Sequence, residues 1–241
     1  MPQRRRALIT GSTAGIGLSI AERLASDGFD VVLNHARDGD RANRALARIR
    51  DVCPAAELVR ADVTDEDDVA RLFDEARAAG PIDVLVNNVG AFLSRPFLET
   101  TLRDWRAVID SNLISAVLCS REALPAMRNR GGLIVNVASL HADAIRATPN
   151  TLPYGIAKSG IVGLTKTLAK TEGRFGIRVN AVCPGFVNTE DAHNPPDVTN
   201  RIPLGRLAEP SEIASVVAFL ASADAAYVSG AVINVHGGAL L

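Results

Sequence analysis

The sequence predicts an α/β fold: a single-domain, doubly wound parallel sheet of about seven strands with helices on both faces. Three observations carry this. Short apolar runs alternate with longer segments of helical period along the whole chain. The runs are apolar at successive positions, as strands covered by helices on both sides require. A glycine cluster separates the first run from the first helical segment, at the carboxyl end of a strand, where such sheets bind ligands.

In order, the strands are expected at Ala7-Thr10, Val31-Leu33, Leu58-Ala61, Val84-Val86, Leu133-Val137, Val179-Val182 and Val232-Val235. Helices are expected near 15-27, 39-51, 65-79, 101-129, 155-174 and 211-222. Thr64-x-x-Asp67 has the form of a capping box for the third helix. Gly28 follows the first helix, where a left-handed residue commonly ends the turn. The stretch 186-203, with Asn188, Asn194, Pro195, Pro196, Asn200 and Pro203, reads as a loop. A domain boundary there would leave fewer than about 40 residues beyond it, too few for an independent core. The chain of 241 residues, 47% of them hydrophobic, is therefore expected to form one domain over 1-241.

The formal charge of −1 gives no electrostatic reason to expect nucleic acid or an anionic membrane as partner. Arg4-Arg5-Arg6 is expected to be the solvated lead-in to a strand, since the apolar run after it is too short for a signal peptide or a membrane span. Cys53, Cys119 and Cys183 are odd in number and far apart, which argues against a disulfide framework and fits a reducing cytoplasm. His35, His141, His193 and His236 are equally scattered, so no metal site is expected.

Two motifs carry chemistry. Thr10-Gly11-Ser12-Thr13-Ala14-Gly15-Ile16-Gly17 lies between strand and helix. Its glycines allow a tight turn and a close backbone approach, and the helix N-terminus offers N–H groups and a favourable dipole to a pyrophosphate. Tyr154 and Lys158 are four apart and so share one helix face. A nearby ammonium should lower the phenol's pKa and make Tyr154 a proton donor and acceptor usable near neutrality. Ser139 ends a strand on the same sheet edge, where its hydroxyl suits a hydrogen bond to a carbonyl oxygen.

These motifs resemble those of the short-chain dehydrogenases/reductases, and most nearly the bacterial 3-oxoacyl-carrier-protein reductases among them. Asn87-Asn88-Val89-Gly90, Asn136-Val137-Ala138-Ser139, Tyr154-Gly155-Ile156-Ala157-Lys158 and Pro184-Gly185 follow the family's order, so the resemblance spans essentially the whole chain. It implies a Rossmann fold, with Asn112, Ser139, Tyr154 and Lys158 catalytic and Asn112 holding a water chain to the lysine. It also implies a cofactor groove of Gly11, Ser12, Thr13, Gly15, Ile16, Gly17, His35, Arg37, Asp62, Val63, Asn88, Gly90, Pro184, Gly185, Val187 and Thr189, together with Tyr154 and Lys158. Asp62 would meet the adenine, Val187 and Thr189 the nicotinamide, and Asn87 would support the pocket.

The function expected is NADP(H)-dependent reduction of a ketone or 3-oxoacyl-type carbonyl to a secondary alcohol. An NAD-dependent alcohol dehydrogenase is the alternative within enzymes. A catalytically silent nucleotide sensor is the alternative outside them, and it should have lost Ser139, Tyr154 or Lys158. NADP is favoured because strand two ends at His35 where NAD enzymes place a carboxylate, with no carboxylate before Asp38. Arg37 is near enough to pair with a 2′-phosphate, with Arg41 as a second cation. Ala14 stands where many NADP-preferring relatives place a basic residue. Relatives of this kind form homotetramers or homodimers, and Ala116, Val117, Cys119, Ala123, Ile161 and Leu164 on the long helices are candidates for the contacts. The interval from Ser139 to Tyr154, with His141, Asp143, Arg146 and Pro149-Asn150, looks about two residues longer than usual. The 190-203 segment occupies the substrate lid and looks short, which should leave the cleft open to bulky or carrier-linked substrates.

Overall fold

The computed structural model describes residues 4–37, 39–140, 142, 149–192, 194–195 and 197–239. Asp38, His141, Asp143, Arg146, His193 and Pro196 lie outside the described residues. Among the described residues seven strands form one sheet: β1 (Arg6–Ile9), β2 (Asp30–His35), β3 (Glu57–Arg60), β4 (Val84–Asn87), β5 (Gly132–Val137), β6 (Ile177–Pro184) and β7 (Val232–Val235). Their order is β3-β2-β1-β4-β5-β6-β7, and every pair is parallel. The direction of winding reverses between β1 and β4, and ligands of such sheets bind at that point, beyond the strand carboxyl ends.

Among the described residues seven α-helices cover the sheet: α1 (Gly15–Ser26), α2 (Gly39–Arg50), α3 (Glu66–Arg77), α4 (Leu102–Ile109), α5 (Ser115–Met127), α6 (Leu152–Glu172) and α7 (Pro210–Ala221). Alternate residues of the strands feed two large core clusters on opposite faces of the sheet, with a smaller third around Ala138, Ile161 and Ala181. Ala7, Ile9, Val31, Leu33, Val84 and Val86 pack with Ile20 and Leu24 of α1 and Ile213 and Val217 of α7. Leu8, Val32, Leu85 and Ile134 pack on the other face with Leu72 and Phe73 of α3 and Cys119 and Met127 of α5. At about 1.5–3 kcal/mol per fully buried large aliphatic side chain, these layers fix the strand register. Among the described residues no helix is long and apolar enough to cross a membrane.

Several expectations are corrected. Arg6 is not solvated: it is buried within β1, and its guanidinium donates to the Ala76 carbonyl at 2.8 Å and pairs with Glu57 at 3.1 Å. The cap of α3 lies one residue later than Thr64: the Asp65 side chain accepts from the Asp68 N–H at 2.9 Å. Thr64 instead donates its hydroxyl to Asp62. The helix expected over 101-129 is interrupted by one π turn, Asp110–Ile114, between α4 and α5. α6 begins at Leu152, with Pro153 in its first turn, so Tyr154 is already helical. Ala116, Cys119, Ala123 and Ile161 lie in this chain's own core and are not available for subunit contacts. The exposed large apolar side chains are others, among them Leu98, Leu102, Ile114 and Ile156.

Candidate active site

The carboxyl edge of the sheet gathers most of the expected site residues. The turn after β1 needs glycine: Gly11 and Gly15 have φ of 60° and 51°, in the region L side chains avoid. Gly17 is required for space, because a Cβ there would lie 2.4 Å from the Gly11 carbonyl oxygen and 2.5 Å from Asn88 Nδ2. Ala14, the N-cap of α1, contributes no side-chain hydrogen bond to the first turn. The first-turn N–H groups, which have no intrahelical partner, thus face outward over a glycine cradle, and the residues present fit a pyrophosphate.

Buried polar side chains hold this loop. Asn34 on β2 accepts from the Gly11 N–H at 3.2 Å and donates to the Ala61 carbonyl at 3.0 Å. Its backbone N–H donates to Ser12 Oγ at 3.0 Å, so the Ser12 side chain is turned inward and buried. Asn88 donates to the Thr10 and Gly11 carbonyls at 3.0 and 3.1 Å. Thr13 and Ile16 are half-buried on the loop. His35 closes β2 half-buried, Arg37 is exposed just beyond it, and Asp62 and the buried Val63 follow β3 on the same edge. Asp62 Oδ1 is taken by the Thr64 N–H and hydroxyl, at 3.0 and 2.7 Å. After β6, Gly185 approaches His236 so closely that a Cβ would sit 2.7 Å from its Cα. Pro184 ends β6, Val187 is buried and bridges to Ala208, and the Thr189 side chain stands 3.4 Å from where a Cβ on Gly15 would lie. Arg41 differs from expectation: its guanidinium is already paired with Glu190 at 3.4 Å and Asp191 at 3.0 Å.

The reacting groups stand between β5 and α6. Ser139, two residues past β5, is hydrogen-bonded to Tyr154. Burial pushes the Tyr154 phenol above its ordinary value, and the Ser139 bond opposes that rise. The expected lowering by Lys158 is not seen: Lys158 Nζ lies 5.7 Å from the Tyr154 ring centre and donates to the Val137 carbonyl at 2.8 Å. Lys158 is itself buried, which pulls its pKa down to about 8. Asn112 occupies the π turn and is buried. Its Nδ2 donates to the Ala91 and Val108 carbonyls at 2.8 and 2.9 Å. Among the described residues its Oδ1 is buried without a hydrogen-bond partner, and it faces Gly90, beside Lys158 Nζ. A π turn shifts the phase of a helix locally, and such turns concentrate at functional sites.

Asn87 points away from the groove. Its Nδ2 donates to Asn136 Oδ1 at 2.8 Å and to Ser120, and Asn136 in turn donates to Thr165 on α6 at 2.9 Å. This buried chain ties β4, β5 and α6 together directly under the site. The bonding roles of Asn34, Asn136 and Thr165 escaped the sequence reading because each is an ordinary residue until its distant partner is known. Phe92 escaped it too. Its ring meets the Tyr154 ring edge-on at 5.1 Å and is half exposed. Its place two residues past Gly90, on the same sheet edge, was the available signal.

Comparison with known proteins decides the family. The profile described as Enoyl-(Acyl carrier protein) reductase matches residues 11–239. The chain belongs to the short-chain dehydrogenases/reductases. It is 44% identical to the cis-4-hydroxycyclohexanecarboxylate dehydrogenase of Sinomonas cyclohexanicum, over 97% of this chain and 96% of that one. It is 36% identical to the 3-oxoacyl-(acyl-carrier-protein) reductase of Staphylococcus aureus, over 99% of each. Among solved structures, a Serratia marcescens short-chain dehydrogenase/reductase mutant superposes with a TM-score of 0.93 at 32% identity, covering 100% of both chains. A blue fluorescent protein from a metagenomic library, solved with NADPH, superposes with a TM-score of 0.92 at 32% identity, covering 98% of each. This short-chain dehydrogenase/reductase is thus an NAD(P)-dependent oxidoreductase with a Rossmann sheet.

Proposed function

We propose that the enzyme reduces a ketone or 3-oxoacyl-type carbonyl to a secondary alcohol with NADPH. The observation that carries this reading is the Ser139–Tyr154 hydrogen bond at the carboxyl edge of the sheet, beside the buried Lys158. The nicotinamide supplies the hydride. Tyr154 gives its phenolic proton to the carbonyl oxygen, and Ser139 donates a hydrogen bond that orients that oxygen. Keeping the phenol protonated suits this direction, and burial does so. Lys158 binds the cofactor's ribose and supplies charge beneath Tyr154. Asn112 Oδ1, buried and without a partner among the described residues, is the acceptor for a water that returns protons toward Lys158. Gly11, Gly15 and Gly17 admit the pyrophosphate, His35 and Arg37 meet the adenosine ribose and its 2′-phosphate, and Asp62 and Val63 flank the adenine. Asn88, Gly90, Pro184, Gly185, Val187 and Thr189 complete the groove. The substrate is a small-molecule ketone or an acyl thioester.

A second reading, an NAD-dependent alcohol dehydrogenase, is favoured by two observations: the 44% identity to a hydroxycyclohexanecarboxylate dehydrogenase, and the carboxylates already seated on Arg41. The test is a screen of NADPH and NADH oxidation against acetoacetyl thioesters, diketones, quinones and cyclic ketones. The primary reading predicts carbonyl reduction with higher kcat/KM for NADPH; higher kcat/KM for NADH establishes the second. The chain is further proposed to unfold as one domain and to assemble as a homotetramer or homodimer. Exposed Leu98, Leu102 and Ile114 suit such contacts. A light-scattering mass equal to the chain's own 25.4 kDa would count against assembly.

A further inference from the structure

We infer that Arg41 is a shared cation, held by Glu190 and Asp191 until the 2′-phosphate of a phosphorylated cofactor takes it, so that these two carboxylates set the discrimination between NADPH and NADH. The inference rests on the cofactor reading given above and adds the residues that oppose it. A cleft of about 760 Å³ opens on the outer side of the glycine loop, bounded by Thr13, Ala14, Gly15, Arg41, Thr189 and Glu190. Arg41 reaches it from α2, and Glu190 and Asp191 reach Arg41 from the segment after β6. The bridge therefore spans the cleft beside the turn expected to hold the cofactor's phosphates. A Cβ at Gly15 would lie 3.4 Å from the Thr189 side chain, so the same short segment passes beside the glycine loop with one residue and clasps α2 with the next two.

The charges decide the consequence. The cleft also carries Arg44, and Arg48 paired with Glu22, but the Arg41 guanidinium is faced by two carboxylates, with which a phosphate must compete for it. A phosphate monoester carries about −1.5 to −2 at neutral pH and matches the planar guanidinium fork better than either carboxylate alone. Glu190 and Asp191 are 89% and 73% exposed, so both return to water cheaply once released. Exposed pairs of this kind are each worth a factor of about two to five. Phosphate binding is thus weakened by roughly five- to ten-fold through competition, while a ligand with a free 2′-hydroxyl leaves the clasp closed. Exchange frees the 188–192 segment from α2 only when the cofactor is phosphorylated.

The probes are 2′,5′-ADP and 5′-ADP, which carry no nicotinamide and report binding alone. Each is titrated calorimetrically into the wild type, the Glu190→Gln/Asp191→Asn variant and Arg41→Met. The inference predicts that the double variant binds 2′,5′-ADP about five-fold or more tightly than the wild type, with 5′-ADP unchanged. Arg41→Met should lose affinity for 2′,5′-ADP only. Backbone amide exchange in 188–192 should rise with 2′,5′-ADP and not with 5′-ADP. If the double variant leaves 2′,5′-ADP binding unchanged while Arg41→Met still weakens it, the clasp is overturned and the phosphate site stands. If neither variant alters 2′,5′-ADP binding and the wild type shows no preference for it, the phosphate reading itself is overturned.

Discussion

Replacing Gly90 with alanine should disable the site without touching a side chain that takes part in the reaction. An added Cβ would lie 2.2 Å from Asn112 Oδ1 and 3.2 Å from Lys158 Nζ. Carbon–oxygen contacts settle near 3.3 Å or beyond, so something must move by about 1 Å. Neither neighbour is free to do so. Asn112 is tied through Nδ2 to the Ala91 and Val108 carbonyls, and Lys158 through Nζ to the Val137 carbonyl. Overpacking of this kind costs about 1–3 kcal/mol, and a broken buried hydrogen bond a similar amount. A total near 2–6 kcal/mol corresponds, for a chain of this length, to a Tm lower by roughly 4–24 °C. Misplacing catalytic groups by about 1 Å costs on the order of 100-fold in rate. Gly163 on α6 is the control: a Cβ there meets nothing within 4 Å, and Gly163→Ala should gain up to about 1 kcal/mol of helix stability with kcat/KM unchanged. Steady-state kinetics and thermal melts read both effects. Wild-type kcat/KM and Tm in Gly90→Ala would refute the packing argument.

Further outcomes follow from particular residues. Lys158 is held at about 8, below its ordinary 10.5, so its ammonium is lost as pH rises through about 8. kcat/KM for reduction, which reports the free enzyme, should fall across that range, and a profile flat to about pH 10 would contradict the role of the charge. The same shift means that the buried ammonium costs stability below about 8, a cost relieved as pH climbs toward 10.5. Phe92→Ala removes the half-exposed ring that meets Tyr154 and should raise KM for cyclic ketones by roughly two- to ten-fold with kcat little changed; an unaltered KM would show that this ring does not contact the substrate. His35→Asp should shift preference toward NADH by placing a carboxylate at the end of β2, and Arg37→Ala should weaken NADPH more than NADH; equal effects on both cofactors would contradict this account of the adenosine end.

What the sequence shows plainly is what backbone geometry or fixed spacing enforces. The glycine turn is legible because Gly11 and Gly15 need positive φ and Gly17 needs an absent side chain. Tyr154 and Lys158 are legible because a four-residue spacing on a helix has one meaning for side-chain direction. The cap of α3 was misplaced by one residue because Thr64, Asp65, Asp67 and Asp68 offer overlapping signals, and only the chain's exit from β3 chooses between them. The π turn at Asn112 has no local signature: it depends on side chains bonding back to carbonyls of the preceding turn and of the β4 exit loop. The burial of Arg6 depends on Glu57 and Ala76, and the hold of Asn34 on the glycine loop depends on its place in the sheet. Arg41 looked available for phosphate because its partners lie about 150 residues away. Long-range polar pairing is what periodicity and spacing leave out.

The most direct test of the account is Tyr154→Phe. The substitution keeps the ring that meets Phe92 and removes only the hydroxyl bonded to Ser139. Measured with a carbonyl substrate that the wild type reduces, turnover should fall by on the order of 10²–10⁴-fold, the usual contribution of a positioned proton donor. The dissociation constant for NADPH, measured by fluorescence or calorimetry, should remain near that of the wild type. A Tyr154→Phe enzyme with near-normal kcat would contradict the central claim that this phenol moves the proton.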